Sequence, residues 1–252
     1  MLTKNKLKYY SSLLQKKNRI AENKFIVEGK KLVEEGIISG FKPEIVFCTN
    51  LFFENEKDYM NKIIPGSVRF ENIKNPEFEK LCDTKSPQGI AAVFNKKEKS
   101  DEIIFDKKII AALENISDPG NMGTIFRNCD WFGVEDVIIS KDCAEVYNPK
   151  VLRASMGSVF HLNIVESENF ISILKNYKKQ NYDIVIADLD GENLYKFKSG
   201  KNIVIVFCNE ANGPSEELLK LSNRKINIPQ KGKAESLNVA SASAVILSEL
   251  TK

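Results

Sequence analysis

Short apolar runs recur through the second half of the chain, and their composition predicts strands buried on both faces. The runs are continuous in Val and Ile rather than alternating with polar residues, which is typical of parallel strands covered by helices. They read IIAALE (109–114), VEDVIIS (134–140), HLNIVE (161–166), DIVIADL (183–189), NIVIVFC (202–208) and KINIP (225–229). Helical or loop segments separate nearly all of them. This alternation predicts an α/β domain with a parallel sheet.

The first part of the chain mixes helical and strand patterns. Helical spacing is found at 3–17, 28–38 and 75–84, and strand patterns at 44–49, 67–70 and 89–94. A charged segment, KKEKSDE (96–102), follows, and such a change of composition is typical of a linker. The sequence therefore predicts a first domain at residues 1–98 and a second at residues 99–252.

Composition and charge place the chain among ordinary globular proteins. It has 252 residues, of which 42% are hydrophobic and 28% are charged, and its formal net charge is +3. Cations are concentrated in the first 31 residues, in KNKLKYY, QKKNR and GKK. These cations form either a solvated helix face or a surface for RNA, and composition leaves both interpretations open.

The polar residues exclude several classes of site. The five cysteines form no CxxC pair, no cluster has metal-ligand spacing, and no metal is expected. No GxGxxG or phosphate-binding loop follows any strand. His161, the only histidine, begins a predicted strand and is interpreted as structural. No apolar run is long enough to span a membrane, and reduced thiols without a signal peptide predict a cytoplasmic protein.

The first loop in which chemistry could occur is ENISDPGNMGTIFRNCDWFG, at 114–133. Asp118 and Pro119 predict a helix start and Gly133 its end. A buried stripe is predicted at Met122, Ile125, Phe126, Cys129 and Phe132. Arg127 lies on the opposite side, where it faces either solvent or a substrate. Asn121 and Gly123 are either helix-start residues or site residues.

The second loop, FCNEANGPSEEL (207–218), follows a predicted buried strand. Asn209, Glu210, Asn212 and Gly213 are crowded before a helix that begins near Ser215. A polar turn at the carboxyl end of a strand is a favoured ligand position in α/β proteins. Glu210 is therefore either a ligand-facing residue or a turn residue.

The third loop, IPQKGKAESLNVASASAVILSEL (228–250), joins a strand end to a helix of small residues. Ser236 and Asn238 begin this helix, and Leu237, Ala240, Ala244 and Leu247 share one face. A cap followed by a core helix is one interpretation, and a site formed by all three loops is the other.

Together the three loops resemble the signature motifs of the SpoU/TrmH branch of the SPOUT RNA methyltransferases. The matching segments are DPGNMGTIFRNCDWFG, NEANGPSEE and IPQKGKAESLNVASASAVILSE. NPKVLRASMGSVFHLNI (148–164) resembles the region that connects them in the family. The resemblance covers about residues 107–252, and the first domain, ending in SPQGIAAV, is similar to the ribosomal-protein-like RNA-binding domain of many members.

The resemblance implies a deep trefoil knot, bound S-adenosylmethionine, and a homodimer with the active site at the subunit interface. The family positions for catalysis are held by Arg127, Asn121, Glu210, Ser236 and Asn238. Those for the cofactor are held by Cys208, Ile228, Leu237, Gly213 and Gly232. Cys208 and Ala211 replace two of the family's usual glycines, and a side chain there would be strained if the backbone required a positive φ.

The implied reaction is methyl transfer from S-adenosylmethionine to a ribose 2′-hydroxyl, and no metal is required. Ribosomal RNA is the expected substrate, with transfer RNA as the alternative. Arg127 is expected to bind phosphate and stabilise developing negative charge, because a guanidinium stays protonated. Two other readings are kept: a non-catalytic RNA-binding protein of the same fold, and an unrelated α/β enzyme.

Overall fold

The computed structural model describes residues 2–97 and 107–252, and these form two compact units. The first contains residues 2–97 and 145–160, and the second contains residues 107–144 and 161–252. The predicted boundary between residues 98 and 99, with most of the predicted linker, lies outside the described residues. The sequence-based division assigns 145–160 to the second domain, whereas these residues pack with the first unit.

The first unit is an α/β structure around a four-stranded sheet. Its strands are β1 Lys24–Glu28, β2 Pro43–Thr49, β3 Arg69–Ile73 and β4 Ile90–Asn95. Its helices are α1 Lys4–Ser12, α2 Lys16–Glu22, α3 Lys30–Ile38, α4 Asn50–Asn55, α5 Lys57–Ile63, α6 Asn75–Phe78 and, from the later segment, α8 Pro149–Ser155. The strand order is β1-β4-β2-β3, with β4 antiparallel to both neighbours and β2 parallel to β3.

The first unit differs from the sequence prediction in several features, among them the unpredicted helices α4 and α5. The single helix expected at 3–17 is two helices, because the chain turns at Leu13–Gln15, where the carbonyl of Leu13 accepts a 2.8 Å hydrogen bond from the guanidinium of Arg19. Strand β1 was not predicted, although Phe25, Ile26 and Val27 are buried between β4 and the surrounding core.

The later segment, residues 145–160, is held in the first unit by a buried ion pair and an aromatic stack. Nε of Arg19 donates a 2.8 Å hydrogen bond to the carboxylate of Glu145, and both side chains are buried. The rings of Phe25 and Tyr147 stack with their centroids 4.2 Å apart. The first unit is therefore built from two separate stretches of the chain.

The second unit is a six-stranded, wholly parallel sheet with helices on both faces. Its strands are β5 Ile109–Glu114, β6 Asp136–Ser140, β7 Asn163–Ser167, β8 Asp183–Asn193, β9 Ile203–Cys208 and β10 Arg224–Asn227. Its helices are α7 Pro119–Trp131, α9 Phe170–Lys179, α10 Glu216–Leu221 and α11 Val239–Leu250. The order is β10-β8-β9-β5-β6-β7, so the predicted α/β fold with a parallel sheet is confirmed.

Strand order brings the carboxyl ends of four strands together. β9 lies between β5 and β8, and β10 lies beside β8 at the edge of the sheet. Because all these strands are parallel, the segments that follow β5, β9 and β10 start from the side of the sheet where the strands have their carboxyl ends. These segments are the three loops singled out in the sequence. Within residues 2–97 and 107–252, no helix has the length and apolar character needed to cross a lipid bilayer.

Candidate functional site

The first motif positions Asn121 at the start of α7. Oδ1 of Asp118 accepts a 2.8 Å hydrogen bond from the backbone N–H of Asn121, which caps the helix, and Pro119 is its first residue. Met122, Ile125, Phe126 and Cys129 are fully buried, as the predicted stripe requires, while Phe132 is only partly buried. Between β5 and the cap, Asn115 has a φ of 58°, a left-handed conformation that asparagine tolerates better than most residues.

Arg127 is exposed on α7, opposite the buried stripe. No described residue hydrogen-bonds to its guanidinium or pairs with its charge, and it is not among the residues that line the cavity described below. Its five N–H donors are therefore available to an anionic ligand. Asp130, one turn along the helix, instead contacts Nδ1 of His161 at 2.9 Å, which agrees with the structural role expected for His161.

The second motif forms a tight polar turn after β9. Oδ1 of Asn209 accepts hydrogen bonds from the backbone N–H groups of Ala211, at 2.8 Å, and Asn212, at 3.3 Å. Nδ2 of Asn209 donates to the carbonyl of Asn115 at 3.1 Å and so joins this turn to the first motif. Gly213 has a φ of 63°, a conformation that glycine adopts without strain.

The third motif is attached to the other two at the start of α11. Oδ1 of Asn238 caps the helix by accepting from the N–H of Ala240 at 3.0 Å, and its Nδ2 donates to Oδ1 of Asn121 at 2.9 Å. The carboxylate of Glu210 accepts a hydrogen bond from the backbone N–H of Val239. The structure therefore brings Asn121, Glu210 and Asn238, three of the predicted catalytic residues, together.

Small residues in α11 allow it to pack closely on α7. Nδ2 of Asn128, on α7, donates hydrogen bonds of 2.9 Å to both the carbonyl of Ala240 and Oγ of Ser243. Ser243 is completely buried. Leu237, expected on the buried face of this helix, precedes the cap and is 50% exposed. The small side chains therefore serve helix packing, and Leu237 is free to face a ligand.

A cavity of about 420 Å³ opens where the second and third motifs meet the middle of β8. Its wall includes seven of the ten predicted site residues: Cys208, Glu210, Gly213, Ile228, Gly232, Ser236 and Leu237. The remaining wall is largely apolar and comes from β8, β10 and α11, for example Leu189, Ile226 and Ile246. Arg127, Asn121 and Asn238 do not line it.

The segment from Gln230 to Ala234 arches over one side of this cavity. Nε2 of Gln230 donates hydrogen bonds to the carbonyl of Gly232 at 2.9 Å and to that of Ala234 at 2.5 Å. The Gln230 side chain therefore links the two ends of this segment, and Gly232 lies at the cavity wall.

Asp188 is a polar residue of the cavity that sequence reasoning missed. Its Oδ2 lies 2.7 Å from Nζ of Lys225, and its Oδ1 accepts from the N–H of Asp190 at 3.2 Å. Burial alone raises the pKa of Asp188, but the hydrogen bond from Lys225 and the backbone donors outweigh burial and lower the pKa. The available signal was its place near the carboxyl end of the apolar run predicted as a strand, 183–189.

The replacements at 208 and 211 carry no backbone strain. Cys208 ends β9, and neither it nor Ala211 has a positive φ. The Cys208 thiol is buried and its Sγ lies 3.7 Å from a carboxyl oxygen of Glu114. Burial, with a smaller contribution from Glu114, raises the pKa of this thiol. The cavity wall at Cys208 is therefore a neutral thiol.

Comparison with known proteins agrees with this arrangement. Residues 108–248 match the SpoU rRNA Methylase family, and residues 4–92 match the MRM3-like substrate binding domain. The 23S rRNA (guanosine(2553)-2′-O)-methyltransferase RlmP of Bacillus subtilis (strain 168) is 29% identical over 97% of this chain and 95% of its own length.

Two solved structures share the whole fold. A putative RNA methyltransferase of the TrmH family from Porphyromonas gingivalis has a TM-score of 0.88 at 29% identity, and the alignment covers 99% of this chain and 98% of that one. An AdoMet-bound rRNA methyltransferase from Sinorhizobium meliloti has a TM-score of 0.83 at 25% identity, covering 99% and 95%. With three motifs in place and more than half of its length matched, the chain belongs to the SpoU rRNA methylase family.

Proposed function

We propose that this protein transfers a methyl group from S-adenosylmethionine to a ribose 2′-hydroxyl of ribosomal RNA. The observation that carries the proposal is the convergence of the second and third motifs on one cavity, with Glu210 and Asn238 tying the start of α11 to the other motifs. Ribosomal RNA is favoured over transfer RNA because RlmP, matched over 97% of this chain, is named for ribosomal RNA. That substrate would place the reaction in the cytoplasm.

The cavity fits an adenosyl cofactor in size and in chemistry. Ligand pockets in proteins enclose about 300 to 1,000 Å³ and are mostly apolar with a few polar groups. The cavity here encloses about 420 Å³, with apolar walls at Ile228 and Leu237 and carboxylates at Asp188 and Glu210. S-adenosylmethionine, when bound, would supply an electrophilic methyl group on a positively charged sulfur. Cys208, Ile228 and Leu237 would hold the cofactor, with the backbone at Gly213 and Gly232 closing the site.

Arg127 would bind the RNA phosphate next to the reacting ribose. Arginine side chains do not lose their proton in proteins, so a role as a base is not assigned to it. A bidentate bond to phosphate would fix the ribose, and the positive charge would stabilise negative charge that develops on the 2′-oxygen. The exposure of Arg127 and the absence of a protein partner in the described residues support this role.

The other catalytic candidates would hold the site in shape. Asn121 and Asn238 bind each other, so the helices α7 and α11 begin in a fixed relation. Glu210 anchors the second motif to the N–H of Val239. Ser236 lines the cavity and is exposed, so its hydroxyl is available to a ligand. Positioning of reactants in this way can supply a large part of a rate enhancement.

RNA binding would come mainly from the first unit. Lys4, Lys6, Lys8, Lys16 and Lys17 are all exposed on α1 and α2. In the part of the chain that the structure describes, none of the five has an ion-pair partner. Unpaired lysines on neighbouring helices suit contacts with phosphate, whose strength falls with rising salt concentration.

We further propose the trefoil knot and the homodimer implied by the family resemblance. The exposed face of α7 supports a homodimer, because Trp131 at its end is 81% exposed while its opposite face is buried. An exposed indole of this kind is typical of a protein–protein interface. Light scattering after gel filtration would test the dimer, and Trp131→Glu should shift the mass toward that of one chain.

The test of the proposed function is methyl transfer from radiolabelled S-adenosylmethionine to two separate pools, unmodified ribosomal RNA and unmodified transfer RNA. Alkaline digestion follows, because a methylated 2′-oxygen blocks cleavage at that position. Label in an alkali-resistant dinucleotide from the ribosomal pool is the expected result. Label only from the transfer RNA pool would show that transfer RNA is the substrate and would leave the proposed methyl-transfer reaction standing.

A lack of label in both pools has two meanings that calorimetry with S-adenosylmethionine separates. Cofactor binding without transfer would mean that the substrate or its assembly context is wrong. No cofactor binding would favour a non-catalytic RNA-binding protein. Neither Cys208 nor Ala211 has a positive φ, which supports the catalytic reading over this alternative.

A further inference from the structure

Glu114 is a buried acidic residue at the end of β5 that the proposed chemistry does not use. It is 4% exposed. No lysine or arginine of the described residues pairs with it. A buried carboxyl group without a cation is costly unless its oxygens accept hydrogen bonds. The hydrogen bonds that Glu114 accepts therefore compensate for its burial.

All the donors to Glu114 come from the two ends of one turn. Oε1 accepts from Oγ of Ser215 at 2.6 Å, and Oε2 accepts from the backbone N–H of Ser215 at 2.9 Å. Sγ of Cys208 donates to Oε2 at 3.7 Å. The backbone carbonyl of Glu114 also accepts from the N–H of Asn209, at 3.2 Å. One residue of β5 thus fixes where the turn leaves β9 and where it enters α10.

The turn between these two ends carries the second motif. Cys208, Asn209, Glu210, Gly213 and Pro214 all line the cavity. Glu210 also accepts from Val239, so a shift of the turn would move the start of α11 as well. A change in the hydrogen bonding of Glu114 would therefore alter the cavity wall without removing any residue from it.

We propose that Glu114 is a positioning residue of the S-adenosylmethionine site, which sets the second-motif turn through Ser215 and Cys208. This inference rests on the proposed function. Gln at position 114 keeps the size of the side chain but replaces one acceptor oxygen by an N–H donor. That donor would face the hydroxyl and N–H of Ser215 or the thiol of Cys208, all of which donate in the structure.

The experiment measures the Kd of S-adenosylmethionine by calorimetry, with the thermal midpoint as a second readout. The full-length wild type is compared with Glu114→Gln, Ser215→Ala and the double variant. Losing hydrogen bonds to a charged group should raise the Kd about tenfold in Glu114→Gln. The double variant should bind about as well as Glu114→Gln alone, because both changes remove the same link.

Asp136→Asn is the matched control. Asp136 is also a buried acid on a strand of the same sheet, 5% exposed, and its Oδ1 accepts a 2.7 Å hydrogen bond from Nδ2 of Asn163. It begins β6 and contributes nothing to the cavity wall. This variant should change the thermal midpoint and leave the Kd within about twofold of the wild type, as expected for distant independent sites.

The outcomes separate this inference from the proposed function. A wild type that does not bind the cofactor overturns both. A wild type that binds, with Glu114→Gln equally tight or weakened no more than Asp136→Asn, overturns the positioning role alone. If Glu114→Gln does not fold, Ser215→Ala decides: a raised Kd supports the role, and an unchanged Kd overturns it.

Discussion

The side-chain amide of Asn238 donates a 2.9 Å hydrogen bond to the side-chain oxygen of Asn121, across 117 positions of sequence. The same Asn238 caps α11 through its own Oδ1. One residue thus has two separable roles, a local one in helix capping and a long-range one in joining the first and third motifs.

We expect these roles to separate by substitution. Asn238→Ala should lower the free energy of unfolding by about 1 kcal/mol through loss of the cap, whereas Asn238→Ser should restore most of it because serine also caps. Both variants lose the bond to Asn121 and should lose methyl transfer alike. Urea unfolding and transfer assays on the two proteins check this. Full activity in Asn238→Ser would contradict a role for the Asn121 contact.

Arg127→Ala should abolish methyl transfer and leave the Kd of S-adenosylmethionine unchanged. The residue is exposed and absent from the cavity wall, so the free energy of unfolding should change by less than about 0.5 kcal/mol. Calorimetry and transfer of radiolabel measure the two effects separately. Arg127→Lys is the control, since lysine keeps the charge and loses bidentate binding. Near-normal turnover of the alanine variant would rule out the assigned role.

The buried pair of Arg19 and Glu145 predicts a large effect on stability. Glu145→Gln leaves Arg19 buried without its counter-charge, which should cost about 3 to 5 kcal/mol. Replacing both partners by apolar residues, Arg19→Met with Glu145→Leu, should recover most of this loss, because only Lys96, whose Nζ lies 3.4 Å from Glu145, then lacks its partner. Unfolding by guanidinium chloride of the wild type, the single variant and the double variant tests this. Equal losses in the single and double variants would show that the pair is not the source of the stabilisation.

Thiol reactivity should be low throughout the native chain. The five cysteines are free, and burial raises the pKa of Cys48 and of Cys129 to about 12. Cys82, Cys143 and Cys208 are shifted in the same direction, mainly by burial. Because the thiolate is the reactive form, Ellman's reagent should react slowly with the native protein and rapidly after unfolding. A fast stoichiometric reaction of the native protein would contradict this.

Asp188 should contribute to stability in a pH-dependent way. Its pKa in the folded protein lies below the ordinary value of 3.8, so the charged form is favoured by folding. This contribution is present above the ordinary pKa and is lost as the pH falls through the lower, folded value. The difference in unfolding free energy between wild type and Asp188→Asn should therefore shrink from about pH 6 to about pH 2. A difference that stays constant over this range would contradict the prediction.

The sequence allowed the second unit to be predicted well because its signals are local. Short apolar runs mark all six parallel strands, and the stripe from Met122 to Cys129 marks α7. Strand β1 was missed because its apolar run, Phe25 to Val27, is only three residues long and lies between Lys24 and Glu28, and because the strand is defined by pairing with β4, far along the chain. An apolar run of three residues is too short to show a period.

The site residues could be predicted where they belong to a recognised motif. They could not be predicted where contacts between distant parts of the sequence determine their role. Asn121, Glu210 and Asn238 were named from the motifs, but their mutual hydrogen bonds could not be derived from spacing. Glu114 would be read as an ordinary polar end to a strand, since glutamate is rarely buried without a partner. Its burial depends on donors that lie about one hundred positions away, at Cys208 and Ser215.

The composition of the first unit from two stretches of chain has a consequence for biosynthesis. Segment 145–160 reaches the ribosome exit only after β5, α7 and β6 have emerged. Arg19 and Phe25 therefore lack their partners Glu145 and Tyr147 until more than half of the protein has been made. Domains commonly fold from the N-terminus as they emerge. Here the amino-terminal unit cannot complete its fold before the second unit has begun to emerge. In a nascent chain halted before residue 145, Arg19, which is buried in the complete protein, would lack Glu145 and would be exposed to chaperones and proteases.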